Sequence, residues 1–436
     1  MPWWASLFLL VGGVFGCLMV GVPVAFSFLF VNIVGSLLFM GPGGMNQMVL
    51  SVFNSISSFV LAPVPLFILL GYVMFHSKMA HRALDVVEVW LGKVPGRLSF
   101  LAVGGGTVFA SLSGSSMASA AMLGSTLIPE MQRRGYSKAM TLGPILGSGG
   151  IAVMIPPSSL GVVLGSLAFV PIGRLLIGGV IPGLLLATLY TIYMIAVFTI
   201  NPASAPAYDI PHMPLSRKIL DFSAYVLPLA VIVFLVVGLI VLGIATPSES
   251  AAMGAFGAFL LAAVYGKLNW TVAREAFAGT LKTSVMVLMI IAGATGFSQL
   301  LSFSGAARGL VTFVLGLDLS PMVLLCAMML GLLILGCFVE QTSMLMITIP
   351  LYMPIVRALG FDTVWFAILV LLTLEMAATT PPFGLVSFVV KGLAPEGTTM
   401  GDVYKAGLPY LACDLIAMIL ILAFPALVTW LPGFIR

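Results

Sequence analysis

Ser111-Leu112-Ser113-Gly114-Ser115-Ser116 interrupts an apolar run, and Phe338-Val339-Glu340-Gln341-Thr342-Ser343 does the same in the second half of the chain. Each is followed by an interruption that reaches a proline pair. After the first come Gly147-Ser148-Gly149-Gly150 and Pro156-Pro157-Ser158-Ser159; after the second comes Thr379-Thr380-Pro381-Pro382. A membrane helix should be continuous at these places. Backbone N–H and C=O groups freed there cannot face lipid, because each unsatisfied group in hydrocarbon costs several kcal/mol. Such breaks are tolerated where they line a cavity, and paired broken helices in two halves of a chain point to a transporter's binding site. The pattern predicts a secondary transporter whose site lies between these four segments.

Composition supports a membrane protein. The 436 residues are 61% hydrophobic and 7% charged, with a mean hydropathy of +1.20. A soluble domain carries about 25% charged residues, so the chain reads as an all-α polytopic protein of the lipid bilayer. The net charge of +4 comes from basic residues scattered over loops, which argues against a nucleic-acid partner. Cys17, Cys326, Cys337 and Cys413 stand singly in apolar runs, without metal or disulfide spacing. Met1-Pro2-Trp3-Trp4 lacks the basic start and cleavage site of a signal peptide, so the first span is expected to be kept.

In chain order, residues 3–20, 22–40 and 60–75 read as spans, and 81–91 as an interfacial helix with Leu84, Val87 and Leu91 opposite Arg82, Asp85 and Glu88. The arms on either side of the first serine cluster hold about 15 residues each, roughly 22 Å of helix against roughly 30 Å of hydrocarbon. Basic residues flank both arms (Lys93 and Arg97, then Arg133, Arg134 and Lys138), so a re-entrant hairpin over about 98–132 fits better than two spans. An interrupted span over 139–169 and a span over 175–199 follow. The polar stretch 201–222 is the natural boundary between halves. Beyond it come spans at 225–242 and 251–265, a surface segment 267–278, a span at 281–301 and a connector 306–317. A second hairpin spans about 320–357, with arms 322–336 and 343–356. An interrupted span 364–390 and a last span 408–430 complete the chain.

This divides the chain into a first repeat (1–200), a linker (201–222) and a second repeat (223–436), each repeat with five spans and one re-entrant hairpin. Gly135/Gly360, Pro156/Pro381, Pro157/Pro382, Gly106/Gly331 and Pro129/Pro354 all stand 225 residues apart. An odd number of spans forces the second copy to insert upside down, giving an inverted repeat. The basic base of the first hairpin is expected on the cytoplasmic side, together with Arg217, Lys218, Lys267 and Arg274, and both termini on the periplasmic side.

Two sodium sites are expected. Hydroxyls and freed carbonyls suit a hard monovalent cation. The first site pairs Ser113, Ser115 and Ser116 with Ser148, Gly149 and Gly150; the second pairs Glu340, Gln341 and Thr342 with Thr379 and Thr380. The glycines at 147, 149 and 150 would let their helix unwind. Ser116 opens a helix whose free N–H groups and dipole favour an anion. Ser116, Ser158, Ser159, Glu340 and Thr342 are therefore the candidate substrate contacts. Against this, the serine tip can be read as a small-residue packing face, and Glu340 as a water-exposed tip. Glu375 is a second intramembrane carboxylate, Glu249 fits a helix cap, and Asp414 is expected near an interface. No organic cofactor is expected. His-Glu-x-x-His, Gly-x-Ser-x-Gly and Walker-type loops are missing, as is a nucleophile–base pair, so an enzyme finds no support. A channel would show a continuous polar stripe, whereas polarity here gathers at the breaks.

Ser113-Gly114-Ser115-Ser116, Ile155-Pro156-Pro157-Ser158, Ile181-Pro182-Gly183, Gly336-Cys337-Phe338-Val339-Glu340 and Thr380-Pro381-Pro382-x-Gly384, in this order, resemble the large membrane subunit of the tripartite ATP-independent periplasmic (TRAP) transporters. The resemblance runs over essentially the whole chain. It implies an elevator-type carrier of the bacterial inner membrane, driven by sodium and importing a small organic acid. It also implies two partners: a four-helix small membrane subunit, expected as a separate chain, and a periplasmic substrate-binding protein. The family usually has Asp where Glu340 stands. The alternative is an elevator anion/sodium symporter that needs no binding protein.

Overall fold

The computed structural model describes residues 1–41, 43–77, 79–92, 94–113, 116–156, 158–206, 213–382 and 384–434, without the side chains of 80, 81 and 108–113. Among them every regular element is helical. The first helices are α1 (Trp3–Met19), α2 (Val24–Phe39), α3 (Gly44–Ile56), α4 (Pro63–Ser77) and α5 (Met79–Leu91). They lead into α6 (Arg97–Ser113), α7 (Ser116–Arg133), α8 (Lys138–Met154), α9 (Ser159–Ala168), α10 (Ile172–Gly178) and α11 (Val180–Ile200). Next, α12 (Leu215–Asp221), α13 (Leu227–Val233) and α14 (Leu239–Val241) are joined by π-helical turns into one stretch, Leu215–Val241. This stretch begins inside the segment expected to be linker.

The remainder is α15 (Pro247–Val264), α16 (Trp270–Phe303), α17 (Ala306–Leu315), α18 (Pro321–Gly336), α19 (Gln341–Ala358), α20 (Thr363–Thr379), α21 (Leu385–Leu393), α22 (Met400–Ala423) and α23 (Ala426–Thr429). Six helices among the described residues are long and apolar enough to cross a membrane, or seven if α8 and α9, bent by 42°, count as one span. Helix bounds recur at the spacing seen in the sequence. Ser116–Arg133 and Gln341–Ala358 start and end 225 residues apart, and so do Lys138–Met154 and Thr363–Thr379.

Local chemistry sets many of these ends. Ser137, Ser158, Asn269, Ser320, Glu340 and Asp362 each accept a backbone N–H in the first turn of the helix that follows. Thr246 and Glu249 form a capping box on α15, as expected for Glu249, and Thr399 with Asp402 forms another on α22. Gly135 and Gly360, with φ of 77° and 73°, stop α7 and α19 in the left-handed conformation that glycine adopts without strain.

Two helices sit at the centre. Every residue of α8 from Met140 onward and every residue of α20 from Val364 onward is buried. α6, α7, α11, α20 and α22 pack around α8, and α18 packs on α20. On the other side, α16 runs against α2, α3 and α4, and α15 against α4. Leu10, Val14, Phe28, Phe297 and Leu300 form a separate apolar cluster there, with Phe28 and Phe297 edge to face at 5.1 Å.

Three expectations need correction. The segment 267–278 is largely exposed, as expected, but it is not a separate element: from Trp270 on it is the start of α16, which is continuous for 34 residues. Gly147–Gly150 does not unwind, since α8 passes through it unbroken to Met154. The glycines serve close packing instead: a β-carbon on Gly147 would lie 2.5 Å from the Tyr410 ring. Asp414 is not at an interface but 4% exposed in the core, where it accepts the Tyr190 hydroxyl.

Candidate functional site

α7, α9 and α19 each begin just after a break, and all three begin at the same place. Ser116, Ser159 and Gln341, the first residues of these helices, line one cavity of about 420 Å³ together with Glu340 and Thr342. Its opposite wall is apolar and comes from α4 (Phe67, Ile68) and α16 (Met286, Val287). Tyr72 and Thr283, whose hydroxyls are 3.0 Å apart, add polarity to that wall. Among the described residues, no Lys, Arg or His lines the cavity. Helix starts present the positive end of the dipole, so the cavity suits an anion without basic side chains.

Of the five expected substrate contacts, the cavity brings together Ser116, Ser159, Glu340 and Thr342. Ser158 is absent from its lining; it is 1% exposed, and its Oγ accepts the Gly161 N–H at 3.0 Å as the cap of α9. Glu340 has a dual position. One carboxylate oxygen accepts the Thr342 hydroxyl at 2.8 Å and the other accepts the Ser343 N–H at 3.2 Å, so the side chain caps its own helix at the cavity's edge.

The expected sodium ligands divide between the two breaks. Ser115 and the side chain of Ser113 lie outside the described residues. Ser148 is buried and donates its hydroxyl to Ile145 O at 2.7 Å. A β-carbon on Gly149 would lie 3.4 Å from Ser116 Cβ and 3.1 Å from Glu375 Oε1. The start of α7, the glycine pair of α8 and Glu375 of α20 therefore meet. At the second break, Gln341 Nε2 donates to Leu374 O at 3.0 Å and to Glu375 Oε2 at 3.4 Å. Thr379 and Thr380 donate their hydroxyls to carbonyls of α20's last turn, and Cys337 Sγ lies 3.4 Å from Pro381 O.

Glu375 is thus the residue on which both breaks converge. In the sequence it stood as a second candidate because it lies one turn before Thr379; its contact with the first half was not legible there. Tyr190, Tyr410 and Asp414, which adjoin it around a second, much smaller cavity, were missed as a group. Nothing local to any of them signals the others.

The family model described as tripartite ATP-independent periplasmic transporter, DctM component, matches residues 11–427. The C4-dicarboxylate TRAP transporter large permease protein DctM of Pseudomonas aeruginosa is 31% identical over 403 residues, 92% of this chain and 92% of that protein. The isethionate TRAP transporter permease protein DctMQ of Oleidesulfovibrio alaskensis is 30% identical, over 95% of this chain and 65% of that protein. The structure of the Alcanivorax borkumensis YdaH transporter shares the fold, with a TM-score of 0.65 at 13% identity, covering 88% of this chain and 89% of that one.

Proposed function

The chain belongs to the DctM component family of the tripartite ATP-independent periplasmic transporters, and from that membership we propose that it imports a small organic acid by sodium symport, as the large membrane subunit of a three-part system. It is a membrane transport component and not an enzyme. One observation carries the substrate class: the helix starts at Ser116, Ser159 and Gln341 share a cavity that no basic residue lines among the described residues. Backbone N–H groups and the hydroxyls of Ser116, Ser159 and Thr342 would take up the carboxylate.

Sodium binds at the two breaks, with Ser148, Gly149 and Gly150 beside the first hairpin tip and Gln341, Thr379 and Thr380 beside the second. Glu340 caps α19 and balances the positive end of that helix next to the bound anion. The two halves form an inverted repeat, and the unit carrying α6–α9 and α18–α21 slides as an elevator against α1–α4 and α12–α17. Both termini are periplasmic in the bacterial inner membrane. A small helical subunit completes the stationary part, and a periplasmic binding protein delivers the substrate. The DctMQ relative is consistent with such a small subunit.

Reconstitution in liposomes tests this reading. Under an inward sodium gradient, the chain with its small subunit and loaded binding protein accumulates substrate, and omitting either partner abolishes uptake. Sodium-driven uptake by the chain alone would replace the tripartite reading with a self-sufficient elevator anion/sodium symporter. Uptake indifferent to sodium would remove the coupling.

A further inference from the structure

We propose that the hydroxyls of Tyr72 and Thr283 are a second point of substrate recognition in the large cavity, taking a neutral hydroxyl or carbonyl group at the end of the molecule remote from its carboxylate. The inference rests on the organic-acid reading above and narrows it to monocarboxylates with a polar tail.

The cavity has two unlike walls. On one, Ser116, Ser159 and Gln341 open their helices. On the other, α4 and α16 contribute aliphatic and aromatic side chains and Gly71, with Tyr72 and Thr283 as the polar exceptions. The Tyr72 and Thr283 hydroxyls are 3.0 Å apart. Two hydroxyls carry two O–H donors, and the bond between them uses one. The other donor has no partner among the described residues.

Packing fixes where the pair lies. Gly279, one turn before Thr283, receives the tyrosine ring; a β-carbon there would lie 2.5 Å from Cε1. His76 stacks on the same ring, with centroids 6.0 Å apart and planes 12° apart, and its Nδ1 lies 3.0 Å from Glu275. Neither Gly279 nor His76 belongs to the cavity lining, whereas Thr283 does. The ring is therefore held from outside the cavity, and its hydroxyl end is the end that reaches the lining. A tip fixed in this way loses little side-chain entropy when a ligand meets it.

Charge narrows the class. Tyr72 and Thr283 stand in mid-helix, where backbone N–H groups are taken up within the helix. This wall therefore lacks the helix-start dipoles of the other, and among the described residues no basic side chain lines it. A second carboxylate here would be desolvated without a counter-charge, in a lining that already holds Glu340. A purely aliphatic tail would cover the remaining donor without satisfying it, at the cost of that group's desolvation. A neutral oxygen on the substrate avoids both penalties.

The test uses the full chain in detergent at saturating sodium and neutral pH, with thermal unfolding followed against the concentration of six acids. These are 4-hydroxybutanoate and 6-hydroxyhexanoate, and at matching chain lengths butanoate, hexanoate, succinate and adipate. A ligand that binds the native state raises its melting temperature in proportion to occupancy, so each series yields an apparent affinity. A hydroxy acid of at least one length is expected to bind about three- to tenfold more tightly than its unsubstituted and dicarboxylate counterparts, the worth of about one hydrogen bond. Tyr72→Phe and Thr283→Val are each expected to remove that advantage while leaving the affinity for butanoate and hexanoate unchanged; either variant suffices if the other fails to fold. An advantage that is missing from the wild-type protein, that survives in a folded variant, or that is lost there together with the affinity for the unsubstituted acids overturns this contact and leaves the anion cavity intact. A wild-type protein stabilised by none of the six acids overturns both.

Discussion

Gly106 of α6 faces Ser148 of α8 so closely that a β-carbon on the glycine would sit 2.5 Å from the serine's own. The hairpin arm is therefore seated on the central helix by an absent side chain. Gly106→Ala is expected to destabilise the protein by about 1–3 kcal/mol through overpacking. Gly104, two residues earlier on the same helix, has nothing within 4 Å of that position. Gly104→Ala is expected to be neutral or stabilising by up to about 1 kcal/mol, from helix propensity alone. Thermal unfolding of the two variants in the same detergent checks the contrast.

Ser116 and Ser158 are both serines at helix starts, yet they have different tasks. Ser158→Ala is expected to cost about 1 kcal/mol of stability through the lost cap, with little change in KM. Ser116→Ala and Thr342→Val are expected to raise the KM for uptake about three- to tenfold, the worth of about one hydrogen bond, with stability nearly unchanged. Paired uptake and melting measurements distinguish the two classes. A Ser158 variant with a raised KM and an unchanged melting temperature would contradict the assignment.

At the base of the first hairpin, Arg97 is 2% exposed and lies 3.1 Å from Glu88, which also meets Arg134 at 3.2 Å. Glu88→Gln leaves the buried guanidinium without this counter-charge and is expected to cost about 3 kcal/mol. That is the lower end of the usual range, because Arg97 still donates to Gly92 O. Lys138 and Asp402 form an equally short pair at 3.1 Å, but with side chains 56% and 32% exposed. Lys138→Met is expected to cost less than about 1 kcal/mol. Denaturation curves for the two variants rank them.

Topology is checked by single cysteines on a background without the four native ones. Arg133, Arg217 and Ala358 are exposed. Cysteines at 133 and 217 are expected to react with an impermeant maleimide only from the cytoplasmic side, and one at 358 only from the periplasmic side. Labelling of 133 and 358 from the same side would end the inverted arrangement.

Features that depend on neighbours in the chain were legible. The breaks at Pro156 and Pro381, the helices ending and starting on either side of the two polar interruptions, and the Glu249 cap all follow from a few adjacent residues. Helix α3 escaped because its apolar positions (Met45, Met48, Val52) alternate with Asn46, Gln47, Ser51 and Asn54 over only 13 residues, too few and too polar for a span. The surface position of the start of α16 is legible, but its continuity with the span is not, because Arg274 and Glu275 interrupt the apolar pattern. The glycines of α8 read as a weak point because they carry too little side chain to pack. Their partner Tyr410 lies far along the chain, and only the fold shows that the missing side chains make room for it. The Glu375–Asp414 neighbourhood was hidden for the same reason, since its members come from α11, α20 and α22 and none carries a local signal.

Helix α16 has 34 residues, about 51 Å at 1.5 Å per residue. Even at a steep tilt of about 40° it spans roughly 39 Å along the membrane normal, beyond the roughly 30 Å of hydrocarbon. Its surplus of about two turns must stand in the headgroup layer or in water, and Trp270, Arg274 and Glu275 at its start are suited to that. Thr283, Met286 and Val287, which wall the large cavity, lie farther along the same rod. One rod therefore joins the membrane surface to the cavity wall, and packing against α2, α3 and α4 holds its inclination there.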